Sequence, residues 1–236
     1  MPSGWKSRPC PPDGRSLAYV GSVGGKSGLF ITGADGTAPA WKADVLGTNS
    51  SGLTNTARTL SWAADSKTLA YVHATPGPET ADATGDPIVI TRFLYKPTAS
   101  EGNTRFNDNR RLHIFLLEVA SGRTRQLTDG VFDEHSIDWS PTSDEILFVS
   151  NREPDSDQFF NNDIFAVRVG TGAMRRLTTT ENAEYWPVWS PDGRRIAYEG
   201  TKRGLTDLET TMEDTHAWVM EADGNNRREV GSGIDN

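Results

Sequence analysis

The sequence predicts an all-β fold: a β-propeller segment of four antiparallel four-stranded blades, open and belonging to a larger ring. Three observations predict it. A hairpin motif led by Trp recurs along the chain. Each copy is followed by a strand, a Gly turn and a basic strand. The copies begin at residues 10, 62, 139 and 189, so they lie 52, 77 and 50 residues apart. Strand-type repeats with periods of about 40–50 residues are the signature of propeller blades.

The clearest copy runs Trp189-Ser190-Pro191-Asp192-Gly193-Arg194-Arg195-Ile196-Ala197-Tyr198. Pro191 fixes φ at the first turn position, and Asp192 can bond its own backbone two residues on. Gly193 supplies a positive φ without a Cβ penalty. Ile196 and Tyr198 alternate with Ala197, as strand residues do. Trp139–Phe148 and Trp62–Tyr71 repeat the pattern, and Cys10–Tyr19 repeats it with Cys10 in the Trp slot.

The second halves agree. His113–Val119 runs to Ser121-Gly122 and then Arg123–Thr128. Asp163–Val169 runs to Thr171-Gly172 and then Met174–Thr178. His216–Met220 runs to Asp223-Gly224 and then Arg227–Val230, and Leu29–Ile31 runs to Asp35-Gly36. The Trp strand is expected innermost in each blade and the basic strand outermost.

The repeats divide the chain, read as one partial propeller domain over residues 1–236, at 1–60, 61–137, 138–187 and 188–236. The first opens with an innermost strand near Lys6–Cys10. The second is longer by roughly 27 residues, with the surplus around Thr75–Asn109. There, Thr75-Pro76-Gly77-Pro78 and Asp82–Pro87 read as exposed loop. Ile88–Ile90 and Phe93–Tyr95 read as strand, and Glu101–Arg111 as a polar lead into the His113 strand. Asp207–Asp214 is the best helical candidate and is short.

Composition narrows the function. Gly occurs 23 times and Pro 13 times, which suits a turn-rich β protein. A formal charge of −8 argues against nucleic acid as the main partner, because phosphate neutralisation needs a basic face. No run of 18 apolar residues spans a membrane, and Met1–Lys6 carries no apolar signal core. A cytoplasmic location is expected. The single cysteine, Cys10, excludes an internal disulfide and a multi-cysteine metal site, and in the Trp slot it reads as buried packing.

The Trp-Ser-Pro-Asp-Gly hairpin with its strand and Leu-Thr ending resembles the TolB-like propeller repeat. The second repeat carries a narrower likeness. Ile90–Lys96, Asn109–Phe115 and Arg125–Gly130, with Phe148–Arg152 in the third repeat, are similar to the N-terminal propeller of acylaminoacyl peptidases in the prolyl oligopeptidase family. The likeness is good over residues 55–236 and loose over 1–54. It implies a propeller of about seven blades capping an α/β-hydrolase domain that carries a Ser-Asp-His triad. It also implies that the propeller admits only short or unstructured peptides. This chain departs from that pattern in holding four repeats and no hydrolase domain, and is expected to be a fragment.

Residue types that could carry chemistry all have a plainer reading. Gly14-Arg15-Ser16-Leu17-Ala18 approaches a nucleophile elbow, but it superimposes on Gly193–Ala197, so Ser16 is a hairpin residue. Gly21–Ser27 falls one residue short of a phosphate loop and reads as a flexible inter-strand loop. His113 and His216 occupy the position of Asp163, a strand entry, and with His73 and His135 suggest no metal site. Asp155, Asp157, Asn161 and Asp163 crowd one loop, read as solvated rather than as a Ca²⁺ site. Trp62, Trp139, Trp186 and Trp189 read as packing between blades. Arg92, Arg110, Arg111 and Arg152 could hold a peptide carboxylate in bidentate fashion, with surface ion pairing the favoured reading.

The expectation is therefore a non-catalytic propeller that gates access and docks on a hydrolase domain of the same parent chain, with peptide as the parent's substrate. No catalytic, cofactor or metal residue is assigned. The alternative is a TolB-like interaction propeller with no enzyme attached and a periplasmic location.

Overall fold

The computed structural model describes residues 10–48, 58–80, 92, 108–154, 156–158, 161–201 and 215–231. The first sheet holds β1 (Ser16–Val23), β2 (Lys26–Gly33) and β3 (Ala40–Ala43). The second holds β4 (Leu60–Trp62), β5 (Thr68–Pro76), β6 (Arg110–Glu118) and β7 (Thr124–Gln126). The third holds β8 (His135–Trp139), β9 (Glu145–Ser150), β10 (Asp163–Arg168) and β11 (Met174–Arg176). The fourth holds β12 (Glu184–Trp189), β13 (Arg195–Thr201), β14 (Thr215–Glu221) and β15 (Arg228–Val230). Every sheet is an antiparallel meander in chain order. Strands β4, β8 and β12 lie against one another, which puts the Trp strands innermost and the basic strands outermost. This is a partial β-propeller.

The first sheet has three strands among the described residues; the fourth, expected near Lys6–Cys10, lies outside them apart from Cys10. The strands expected at Ile88–Ile90 and Phe93–Tyr95 and the helical candidate Asp207–Asp214 also lie outside. The helical content described is one 3-10 turn, Pro78–Thr80.

The recurring hairpin closes the same way four times. The N–H groups of Gly14, Ser66, Ser143 and Gly193 donate to the carbonyls of Pro11, Ala63, Ser140 and Ser190, at 2.9–3.1 Å. All four donors sit at positive φ, between 57° and 69°. Asp13, Asp65 and Asp192 each accept from the N–H two residues on, at 2.8–3.0 Å. These local bonds fix the turn and hence the strand register.

Packing follows from alternation in sheets covered on both faces. In β9, Ile146 and Phe148 face the second sheet with Ala70, Val72 and Ile114, whereas Leu147 and Val149 face the fourth with Ile196, Tyr198 and Met220. All of β9 is buried. Each fully buried Leu or Ile contributes about 1.5–3 kcal/mol. The first and second sheets meet through Ala18, Leu29, Ile31, Leu60, Trp62 and Leu69.

Polar devices join the blades at fixed repeat positions. The Trp139 N–H donates to Ser61 Oγ at 3.1 Å, and the Trp189 N–H donates to Asp138 Oδ2 at 3.0 Å. In both cases the acceptor precedes the Trp of the previous blade. At the rim, Lys42, Arg125 and Arg175 each donate to a carbonyl of the next blade, those of Val119, Val169 and Ala222, at 2.8–3.1 Å. The basic character of the outer strands is thus an inter-blade clamp.

Four expectations change. Cys10 is exposed, because it precedes a turn and belongs to no described strand. Gly21–Ser27 is a tight hairpin rather than a flexible loop: Gly21 pairs with Gly28, and Gly24 and Gly25 turn the chain at φ 59° and 81°. Thr75 and Pro76 end β5, paired with Arg111 and Arg110, instead of lying in a loop. Among the Trp residues, Trp62, Trp139 and Trp189 are buried, but Trp186 is half-buried at φ 47° in a bulge of β12.

Candidate functional site

The meander sends its connections to two opposite faces. On one lie the tight turns 140–144, 190–194, 119–123 and 169–173. On the other, β5, β9 and β13 end and β6, β10 and β14 begin, and the crossings between blades run at 127–134 and 177–183. Sites carried on loops are positioned by the scaffold beneath them, so the face opposite the tight turns is the place to search.

An open cavity of about 540 Å³ lies on that face between the second and third blades. It is lined by Arg92, Arg111, Val131, Phe132, Arg152, Glu153, Pro154, Ser156 and Asp157. Three of the four arginines singled out in the sequence thus converge; Arg110 does not line it. Arg111 is buried at the start of β6. Its Nε donates to Val131 O at 2.7 Å, Nη1 to Arg110 O at 3.2 Å, and Nη2 pairs closely with Glu79. Arg152 follows β9. Its Nη2 donates to Glu134 at 2.5 Å, and its guanidinium carbon stands 5.2–5.6 Å from the ring centres of Phe132, Phe148 and Phe165. Ion pairing was the expected role, but these pairs are inside the fold rather than on its surface.

Arg92 differs. Its side chain is 18% exposed, and Nε stands 4.0 Å from Asp157 Oδ2. Its Nη1 is buried without a hydrogen-bond partner. Burial, and then the neighbouring Arg111 guanidinium, push Arg92 below the ordinary arginine value, opposed by Asp133, Glu79 and Asp157. Asp133 accepts the Leu112 N–H at 2.7 Å, and enclosure of its carboxyl raises its pKa.

Behind the cavity, Glu134 is fully buried. It binds His113 Nδ1 at 2.7 Å, the Thr128 hydroxyl at 3.0 Å and Arg152. The next boundary repeats the frame with different partners. Thr178 Oγ1 lies 2.9 Å from Asp163 and 3.0 Å from Glu184, and Thr180 donates to Glu184 at 2.5 Å. Burial first, then the charge of Asp163, push Glu184 up to about 7. The signal for this device was present in the sequence, since Thr follows Leu in both outer strands and Glu stands five residues before both Trp139 and Trp189.

The remaining candidates are placed as follows. Ser16 opens β1, paired with Gly33 and half-buried. His73 Nδ1 accepts the Leu46 N–H at 3.2 Å, and burial lowers its pKa. His135 is buried beside the Ser136 hydroxyl and lowered to about 4 by burial. His216 pairs with Glu229 at 2.9 Å. Among the described residues no three His, Cys, Asp or Glu side chains converge as metal ligands. The acidic loop is not wholly solvated as expected. Asp163 is fully buried against Thr178 and Arg176, and the Asn161 amide, in the orientation that satisfies its neighbours, donates to the carbonyls of Asn182 and Thr180. Asp157 lines the cavity, and Asp155 lies outside the described residues.

Comparison with known proteins gives no matching family model. Over 132 residues the chain is 29% identical to the uncharacterized peptidase YuxL of Bacillus subtilis, covering 54% of this chain and 19% of that protein. Over 94 residues it is 35% identical to the Tol-Pal system protein TolB of Anaeromyxobacter dehalogenans, covering 40% of this chain and 18% of that one. The matched stretches thus span less than a fifth of these relatives. Among solved structures, a TolB-designated protein of Agrobacterium tumefaciens superimposes with a TM-score of 0.63 at 20% identity, covering 93% of this chain and 62% of that one. Acylaminoacyl peptidase of Pyrococcus horikoshii gives 0.62 at 15% identity, covering 97% and 32%. The chain therefore has the propeller fold found in TolB and in the acylaminoacyl and prolyl peptidases.

Proposed function

We propose that this chain is the non-catalytic propeller part of a serine peptidase resembling acylaminoacyl peptidase. It restricts the access of peptide substrates and docks on an α/β-hydrolase domain outside these 236 residues. The observation that carries this reading is the difference between the two ends of the sheets. One is a set of tight turns, while the other holds the arginine-lined cavity between the second and third blades, where a second domain can be met. The likeness to YuxL and to the solved peptidases supports it. Residues 1–236 act as one partial propeller domain, in the cytoplasm, with no nucleic-acid or membrane partner. None of their side chains is assigned to catalysis, because acyl transfer needs an activated nucleophile, a base and oxyanion donors together.

The test is a serine-directed fluorophosphonate probe applied to the full-length gene product and to residues 1–236. The full-length product is expected to label at a serine outside this stretch and to cleave acyl-peptide chromogenic substrates. Labelling within residues 1–236, with turnover lost on mutating that serine, would overturn the non-catalytic reading.

The 35% identity to TolB favours a second reading, an interaction propeller in the periplasm with no enzyme attached. A full-length product that carries no labelled serine and no hydrolase domain supports it over the first.

A further inference from the structure

Each blade turns an aromatic pair toward the blade before it. Tyr71 with Phe115, Phe148 with Phe165, and Tyr198 with Trp218 lie 5.4–6.4 Å apart, and each pair packs into the core shared with the preceding sheet. Tyr19 and Phe30 form the same pair in the first sheet, stacked at 5.7 Å, and belong to none of those cores. Leu17 and Tyr19 are only half-buried there. Their counterparts Leu69, Ile146 and Ile196, and Tyr71, Phe148 and Tyr198, are buried.

The open face of the fourth sheet is the matching receptor. Ala197, Ala217, Val219 and Val230 hold the positions that Leu147, Ile164, Ala166 and Leu177 hold in the third, where Tyr198 and Trp218 are received. The rim clamp also has two unused ends. Arg228 pairs with Val219 as Arg125 pairs with Leu116 and Arg175 with Ala166, and it is exposed. The clamp acceptors Val119, Val169 and Ala222 donate their own N–H groups to Lys67, Asp144 and Arg194. Ala34 occupies that place in the first blade, its N–H donating to Arg15, and no described backbone N–H reaches its exposed carbonyl. Charge agrees as well. Glu199 is half-buried on the open face of the fourth sheet, and Lys26 stands over the Trp41 ring on the open face of the first.

We propose that the first sheet of one copy of this chain docks on the fourth sheet of a second copy, at two equivalent seams, so that two chains close a ring of eight blades. Tyr19 and Phe30 enter the hollow over Ala197 and Ala217 of the second copy. The Arg228 guanidinium there donates to the Ala34 carbonyl, and Lys26 answers Glu199. Eight lies within the range of about 4–8 blades that propellers hold, and head-to-tail contacts that close stop at a fixed number of copies. The pairing rests on the blades alone and holds under either reading of the function.

The test is light scattering of the 236-residue chain at micromolar concentration, with one variant blocked on each face. Wild type is expected at twice the 25.8 kDa monomer. Tyr19→Glu and Val219→Glu should each be monomeric alone, and an equal mixture should recover the dimer through its one intact seam. A dimer from Tyr19→Glu alone would join fourth sheet to fourth sheet and overturn the head-to-tail pairing. A mass that climbs past the dimer with concentration would overturn the closed ring. A wild-type monomer would leave both faces to further blades of a longer chain and overturn the second copy. A check at exposed positions does not depend on how the blocked variants fold. Ala34→Cys and Arg228→Cys chains, each also carrying Cys10→Ser, are treated with a short bismaleimide. Cross-linked dimer is expected from the mixture; a comparable yield from either chain alone would overturn the pairing.

Discussion

The hydroxyl of Ser143 accepts a hydrogen bond from the backbone N–H of Ala64 at 2.8 Å, joining the hairpin of the third blade to that of the second. Ser66 does the same one blade earlier, accepting from the Asp13 N–H at 3.2 Å. Both serines hold left-handed backbone, at φ 60° and 57°, where the other two hairpins have glycine. Gly193 has no hydroxyl, and the residue it approaches, Pro141, has no N–H to offer. The strain of a non-glycine residue is accepted where a donor waits on the neighbouring blade.

Ser143→Ala should therefore destabilise more than Ser143→Gly. Alanine keeps the left-handed cost of roughly 1–2 kcal/mol and loses a bond worth about 0.5–1.5 kcal/mol. Glycine loses the same bond but relieves the strain, so it should fall within about 0.5 kcal/mol of wild type. Urea midpoints at constant m-value check this; equal losses for the two variants would show that the left-handed conformation at this position carries no strain.

Stability should fall as pH rises from 5 to 8, and Glu184 should account for much of the fall. Its folded value of about 7 lies above the ordinary 4.5, because burial and Asp163 disfavour its charge. A carboxyl raised in this way binds its proton more tightly folded than unfolded. Its contribution is complete below about 4.5 and is lost as pH climbs through about 7. A shift of this size corresponds to something on the order of 3 kcal/mol. Glu184→Gln should flatten the profile, measured by urea unfolding at pH 5 and pH 8. An unchanged slope in the variant would assign the dependence elsewhere.

Gly224→Ala should cost about 1–3 kcal/mol. The glycine sits at φ 90°, and a Cβ there would stand 2.6 Å from the Leu177 carbonyl of the preceding blade. Gly172→Ala is the control, with φ 72° but nothing near its Cβ. Thermal unfolding should show the larger loss at Gly224.

The 236-residue chain alone should self-associate. On the free face of the fourth sheet, Ala197 and Ala217 are exposed, Val219 is half-buried and Val230 is 42% exposed. Their counterparts in the third sheet, Leu147, Ile164, Ala166 and Leu177, are buried against the fourth. Light scattering at micromolar concentration should report a mass above the 25.8 kDa monomer, and Val219→Glu should lower it. A stable monomer would show the face to be tolerated in water.

The repeat was legible in the sequence because turn chemistry is local. Pro191, Asp192 and Gly193 declare a hairpin without reference to anything distant, and so do their three copies. The innermost Trp and outermost basic strands followed from the same alignment. Cys10 was misread because the Trp slot is buried only where an innermost strand forms. Thr75 and Pro76 were misread because turn-forming residues can end a long strand whose partner, here Arg110–Arg111, lies far along the chain. The cavity was half legible. Its arginines could be named, but Arg92, Arg111 and Arg152 come from three segments that meet only when two blades pack. Glu134 and Glu184 repeat in the sequence, yet only burial distinguishes them from ordinary surface acids.

Asp138 has a consequence for how the molecule comes apart. Its carboxylate holds Arg58 of the second blade at 2.9 Å and the Trp189 N–H of the fourth, while its own backbone belongs to the third. An array whose units touch only their neighbours can shed one from the end and leave the remainder intact. A residue that grips units on both sides removes that freedom. Peeling away the fourth blade strips the nearly buried Asp138 carboxylate of one of its partners while Arg58 still holds it, so the loss is felt two units away. Under a pulling force applied at the C-terminal end, the last three blades should rupture as one event, and the first should follow separately.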